Sequence, residues 1–135
     1  MPKFYLRKLV RDKILEDCLT NPDIYKKVDY RVLGDEEYVR ELIHKVTEES
    51  SEIPTDSEAD LEEVLAELAD LQSIVDALRE HFGFSEEQLR EAAKQKTAKK
   101  GGFVGRYYIE SQVLAEDAPL VEYYRANPDR FPEEK

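Results

Sequence analysis

An all-α fold, an antiparallel bundle of about four main helices, is what this sequence predicts, and three observations carry it. Apolar residues recur at helical spacing in successive segments; Leu61, Val64, Leu65, Leu68, Leu71, Val75 and Leu78 form the broadest such face. The segments are joined by short stretches rich in Pro, Gly, Asn and Asp. Asp and Glu make up 31 of 135 residues against 20 Lys and Arg, so each helix has an ionic side and one side to bury.

The elements follow in order. Leu9, Val10, Ile14 and Cys18 predict a first helix over residues 8–19, broken by Asn21-Pro22-Asp23. Val28, Tyr30 and Val32 alternate with polar residues and predict a short extended piece ending at Gly34. Asp35 is the expected N-cap of a second helix reaching Ile53, with Val39, Leu42, Ile43 and Val46 as its apolar stripe. After the turn at Pro54-Thr55-Asp56-Ser57, the third helix is expected over residues 58–81, capped by Asp56 or Ser57 and ended by Gly83. Ser85 and Gln88 form a capping-box pattern for a fourth helix that runs to Lys99 and stops at Gly101-Gly102. In the tail, Asp117-Ala118-Pro119 opens a short helix through Ala126. The tail tyrosines, Tyr107 and Tyr108 among them, are expected to pack on the bundle.

A chain of this length predicts a single domain, with a core over residues 4–106 and a C-terminal extension from 107 to 135. The net charge of −11 disfavours non-specific binding to nucleic acid or anionic membranes, so neither is an expected partner. Cys18 is the only cysteine, which rules out an internal disulfide and fits a reducing compartment. The first residues are charged and carry no apolar run, unlike a signal peptide. A cytoplasmic location is the expectation.

Two acidic pairs at i,i+3 spacing are the candidate metal ligands: Glu49 with Glu52, and Glu67 with Asp70. Facing helices would gather them into an oxygen-rich site of the kind Mg²⁺ takes, with Mn²⁺ as a substitute. Spacing alone is weak, because two given positions in so acidic a chain are both acidic roughly one time in twenty. Position on the helix matters more. On a helical wheel Glu49 borders the apolar stripe of its helix, and Glu48 is turned away. Glu63, Glu67 and Asp70 make one strip beside the apolar face of the third helix, and Ile74 continues it. A metal site and a row of boundary carboxylates paired with Lys45, Arg79 or other surface cations both remain open on this pattern.

Cations concentrate in two places. Lys8, Arg11 and Lys13 form the first group; Lys94, Lys96, Lys99 and Lys100 precede Gly101-Gly102-Phe103, and Arg106 follows. The second group reads either as a phosphate-binding corner or as cations at a helix C-terminus before a glycine cap. His44 and His81 are isolated, and Cys18 falls on an apolar face.

The order of these motifs resembles a known family. Lys-Leu-Val-Arg-Asp-Lys-Ile at 8–14, Glu-Glu-x-x-Glu at 48–52, Glu-x-x-Asp at 67–70 and Lys-x-x-x-Lys-Gly-Gly-Phe at 96–103 look like the MazG-like all-α nucleoside triphosphate pyrophosphohydrolases. The phosphoribosyl-ATP pyrophosphohydrolase-like branch carries the first of these signatures. The match covers about residues 4–106. It implies Mg²⁺-dependent cleavage of a nucleoside triphosphate to the monophosphate and pyrophosphate. It also implies Glu49, Glu52, Glu67 and Asp70 as ligands, Lys45 and Lys96 near phosphates, and a homodimer or dimer of dimers. Leu15 stands where that family usually has proline, and Lys100 where arginine is common, a point charge in place of a bidentate fork.

The expected chemistry is attack of water beside the α–β bridge. Glu63 and Glu48 are candidates to take its proton, with Glu63 favoured because the wheel turns Glu48 away; Glu49 is the other catalytic candidate. Lys96, Lys99, Lys100, Arg106, Lys45 and Arg11 are the candidate phosphate-binding residues. Two alternatives stand beside this: a phosphoribosyl-ATP pyrophosphohydrolase, and a non-catalytic helical binding or regulatory module.

Overall fold

The computed structural model describes residues 1–135 as five helices with no strand. The chain divides into two compact units, Met1–Gln95 and Lys96–Lys135, and the boundary falls inside the fourth helix.

In the first unit, α1 spans Asp12–Thr20, α2 Asp35–Ser51 and α3 Leu61–His81; α4, Glu86–Lys100, starts there. Helix α1 begins four residues later than its apolar spacing predicts. Arg11 is its N-cap in extended conformation and makes no side-chain cap bond, because a guanidinium has no acceptor for a backbone N–H; it donates to Asp70 instead. At its other end Asn21 Nδ2 donates to the Asp17 carbonyl at 2.8 Å and closes the helix. The expected extended piece around Val28–Val32 forms no strand. A lone extended segment has no ladder partner, and Val32 and Tyr30 stay exposed. Arg31 Nη1 ties this segment to Glu37 at 2.8 Å.

Asp35 is the first residue of α2 and not its cap; Gly34 precedes it. Asp35, Glu36 and Glu37 in the first turn still suit the positive end of the helix dipole. The helix stops at Ser51, two residues earlier than expected. The Ser50 and Ser51 hydroxyls donate back to the carbonyls of Thr47 and Glu48, at 3.0 and 2.6 Å, local bonds of the kind that loosen a helix end. Asp60, and not Asp56 or Ser57, caps α3 by accepting the Glu62 N–H at 3.0 Å. Asp56 instead accepts from the Glu58 N–H at 3.0 Å, which makes a turn ahead of the helix.

The end of α3 follows its sequence closely. Gly83 adopts φ +77, and the Phe84 and Gly83 N–H groups donate to the Arg79 and Glu80 carbonyls at 3.0 and 3.1 Å. That is a Schellman motif, and it needs the left-handed residue that glycine supplies without strain. The predicted capping box at α4 forms on both sides: Gln88 N–H to Ser85 Oγ at 3.1 Å, Ser85 N–H to Gln88 Oε1 at 2.7 Å.

Helices α2 and α3 are the one pair of helices that pack against each other. Their pairing is antiparallel: Tyr38 near the start of α2 meets the His81 ring at the end of α3, centroids 5.5 Å apart. The buried core consists of Leu42 at 4% exposure and Ile74 at 5%. The face of α3 turned to α2 runs through Val64, Glu67, Leu71, Ile74 and Leu78, all at least partly covered. Leu61, Leu65 and Leu68, which the apolar pattern assigns to the core, are 80%, 68% and 50% exposed. The apolar surface of α3 is wider than one neighbouring helix can cover.

In the second unit, α5 spans Pro119–Ala126 with proline in its first turn, as the sequence predicts. Tyr124 stacks on Phe131 at 4.3 Å, and Arg125 grips Glu133 through Nε and Nη2 at 3.0 and 2.8 Å. Tyr107 and Tyr108 are 94% and 84% exposed, contrary to the expectation that they pack on the bundle. No helix of the protein is long and apolar enough to cross a membrane.

Candidate metal centre

The candidate site lies where the end of α2 passes the first half of α3. Glu49 is in the last turn of α2, Glu52 is its C-cap, and Glu67 projects from the α3 face that meets α2. One carboxylate oxygen from each of Glu49, Glu52 and Glu67 lies within 4.8 Å of the other two. Three of the four expected ligands are therefore brought together. Asp70, one turn further along α3, stands outside this group, and its Oδ1 accepts from Arg11 Nη2 at 2.7 Å.

Electrostatics make the cluster costly as it stands. The last turn of α2 carries no basic residue, so Glu49 and Glu52 sit at the negative end of the helix dipole. Glu67 Oε2 is buried and has no hydrogen-bond partner. Desolvation holds the Glu67 carboxyl above its ordinary range, and the adjacent Glu49 carboxylate and the charges of Glu52 and Asp70 add to the effect. Partial compensation comes from Lys45, whose Nζ lies 3.9 Å from Glu49 Oε1 and 3.8 Å from Glu48 Oε2. The alternative reading of paired boundary carboxylates is thus realised at Glu49 with Lys45 and at Asp70 with Arg11, but not at Glu52 or Glu67. Arg79, the other cation that reading considered, points elsewhere and bonds the Phe84 carbonyl at 2.8 Å.

The donor set is all oxygen, as a hard divalent cation requires. These oxygens lie within 4.8 Å of one another, near enough for one ion to approach all three. Exposed acidic groups of this kind are common without an ion. The buried, unpartnered Glu67 oxygen is the feature of this cluster that a cation would specifically relieve.

The remaining expected residues fall as follows. Glu63 is exposed and outside the carboxylate group. Glu48, turned away on the helical wheel, lies 3.7 Å from Lys8 Nζ. Lys96, Lys99, Lys100 and Arg106 belong to the second unit and form no ion pair there. Lys99 and Lys100 occupy the last turn of α4, where cations complement the dipole. Sequence reasoning missed the ionic tie from residues 8–11 to α2 and α3. The cations were visible in the motif, but their carboxylate partners lie tens of residues away.

No family model, no curated protein and no solved structure matches this chain.

Proposed function

We propose that this chain is a Mg²⁺-dependent nucleoside triphosphate pyrophosphohydrolase, which cleaves its substrate to the monophosphate and pyrophosphate. The observation that carries the reading is the convergence of Glu49, Glu52 and Glu67 from two packed helices, with the buried Glu67 oxygen unpartnered. Support also comes from the motif order described above. Glu49, Glu52 and Glu67 would hold the ion, joined by Asp70. Bound there, Mg²⁺ supplies Lewis acidity and neutralises polyphosphate charge. Glu63 is exposed and unpaired, free to accept the proton of an attacking water; Glu49, 3.9 Å from Lys45 Nζ, is the second candidate. Lys45 and Arg11 are the cations of the first unit that this reading assigns to phosphate binding.

A panel of normal and modified nucleoside triphosphates with Mg²⁺, read by pyrophosphate release, tests the reading. Release from general triphosphates is the expected result. Release confined to phosphoribosyl-ATP would give the chain to that narrower activity. No release, and no Mg²⁺-dependent change in melting temperature, would leave a helical binding module.

Assembly with a second copy belongs to the same proposal. An isolated α2–α3 pair is half of a four-helix bundle, and Leu61, Leu65 and Leu68 are its uncovered apolar stripe. Each leucine left in water forgoes roughly 1.5–3 kcal/mol of burial, together a large part of an ordinary domain's net stability. A homodimer that buries this stripe is expected in solution. Leu65→Lys should convert it to monomer in light scattering after size exclusion; an unchanged dimer would place the interface elsewhere.

A further inference from the structure

The segment that precedes α1 is held to the acidic helices by charge. Arg11 Nη2 reaches Asp70 Oδ1 at 2.7 Å across 59 residues of sequence. Lys8 Nζ lies 3.7 Å from Glu48 Oε1 on α2. Helix α1 itself packs against no other helix and has no buried residue. Both long-range ties therefore run from residues 8–11 to the two helices that carry the carboxylate cluster.

We infer that Arg11 is an exchangeable internal cation, which holds Asp70 while the carboxylate cluster lacks a divalent ion and surrenders it when one binds. The inference rests on the metal-binding reading above. Asp70 lies one helical turn from Glu67, so it is the nearest carboxylate on α3 that could complete the group. One guanidinium nitrogen on one carboxylate oxygen is a single-point contact, without the second bond of a bidentate fork. Both partners are largely open to water, the Arg11 side chain 59% and that of Asp70 39% exposed. Such a pair is weak and salt-sensitive. A doubly charged ion held by Glu49, Glu52 and Glu67 competes for Asp70 with twice the charge and three further ligands. Release frees the guanidinium and removes the shorter of the two ties from residues 8–11 to α2 and α3, which leaves the Lys8–Glu48 pair as the other. Arg11 is on this account a positioning residue: it sets where Asp70 points before the ion arrives, and the ion in turn sets the freedom of α1.

Two readouts that do not depend on turnover test this in the full chain. Mn²⁺ affinity is measured by calorimetry for the natural protein, Arg11→Gln and Arg11→Lys, and amide hydrogen exchange is followed across α1 with and without Mn²⁺. The natural protein should bind Mn²⁺ and exchange faster in α1 when it does. Arg11→Gln should exchange fast in α1 without the ion and bind Mn²⁺ about two- to fivefold tighter, the range of an exposed ion pair expressed as affinity. Arg11→Lys should fall between the two. Mn²⁺ binding with unchanged exchange in α1, or with equal or weaker affinity in Arg11→Gln, would overturn the exchange while leaving the metal site standing. Failure of the natural protein to bind Mn²⁺ at all would remove both.

Discussion

Glu67→Gln is expected to cut Mg²⁺-dependent pyrophosphate release by two orders of magnitude or more, and to make the metal-free protein more heat-stable at pH 8. The first effect follows from position. Glu67 is the one carboxylate of the cluster that projects from the buried face of α3, and its Oε2 has no other partner. Loss of a metal ligand or its close support typically costs about 10–100-fold in affinity or activity even one shell out. The second effect follows from the sign of the pKa shift. Burial and the neighbouring carboxylates raise the Glu67 pKa in the folded chain, so ionisation opposes folding as the pH rises through that value. A neutral glutamine of the same shape removes this cost. The gain in melting temperature should be largest at pH 8 and shrink towards pH 4, where the natural carboxyl takes up its proton. Calorimetric melts of both proteins in chelator, across that range, check it. A lower melting temperature for the variant at pH 8 would mean that Glu67 is compensated by a cation in the free protein. On the proposed metal-binding reading, added Mg²⁺ should reverse the order, because an ion held by Glu67 would stabilise the natural protein more than the variant.

Ile74→Ala is expected to cost about 2–5 kcal/mol of stability. Ile74 is at 5% exposure and shares the buried core with Leu42 alone. No third buried side chain offsets a cavity here, and a natural domain has only about 5–15 kcal/mol to lose. The same side chain lies seven residues from Glu67 on the α3 face that packs against α2. Loosening it should spread the three carboxylates as well as weaken the fold. Denaturant melts give the first quantity. Mn²⁺ affinity, measured where the variant is still folded, gives the second. A loss below 1 kcal/mol would mean that α2 and α3 are held chiefly by contacts with another chain.

Local chemistry made much of this protein legible. The glycine at 83, the reciprocal Ser85–Gln88 cap and the proline that opens α5 each act over three or four residues, and each appears as read. Helix starts that depended on choosing among several capable caps came out shifted, as with Asp60 in place of Asp56. Competing side-chain bonds of similar strength decide such cases, and a linear pattern does not rank them.

The carboxylate site was legible in part, for a similar reason. Glu49, Glu52 and Glu67 converge because each stands on, or one residue beyond, a helix face that packing turns towards its neighbour. On the helical wheel the strip through Glu63, Glu67 and Asp70 lay at the edge of the apolar face of α3. In the folded chain Ile74, the residue that continues the strip, is the centre of the core, and the leucine stripe beside it is open. Hydrophobic spacing says that a face will be buried; it does not say which of two adjacent faces meets which partner.

What the sequence determined by itself is therefore the set of helices, the chemistry at most of their ends and the identity of the acidic and basic groups, all of which depend on neighbours a few residues apart. Tertiary structure alone decided that Glu67 would be the desolvated member of the cluster, that Arg11 would claim Asp70 and that Leu61, Leu65 and Leu68 would face water. Those outcomes depend on distances between residues far apart along the chain, which are set only when α2 and α3 choose the faces they share.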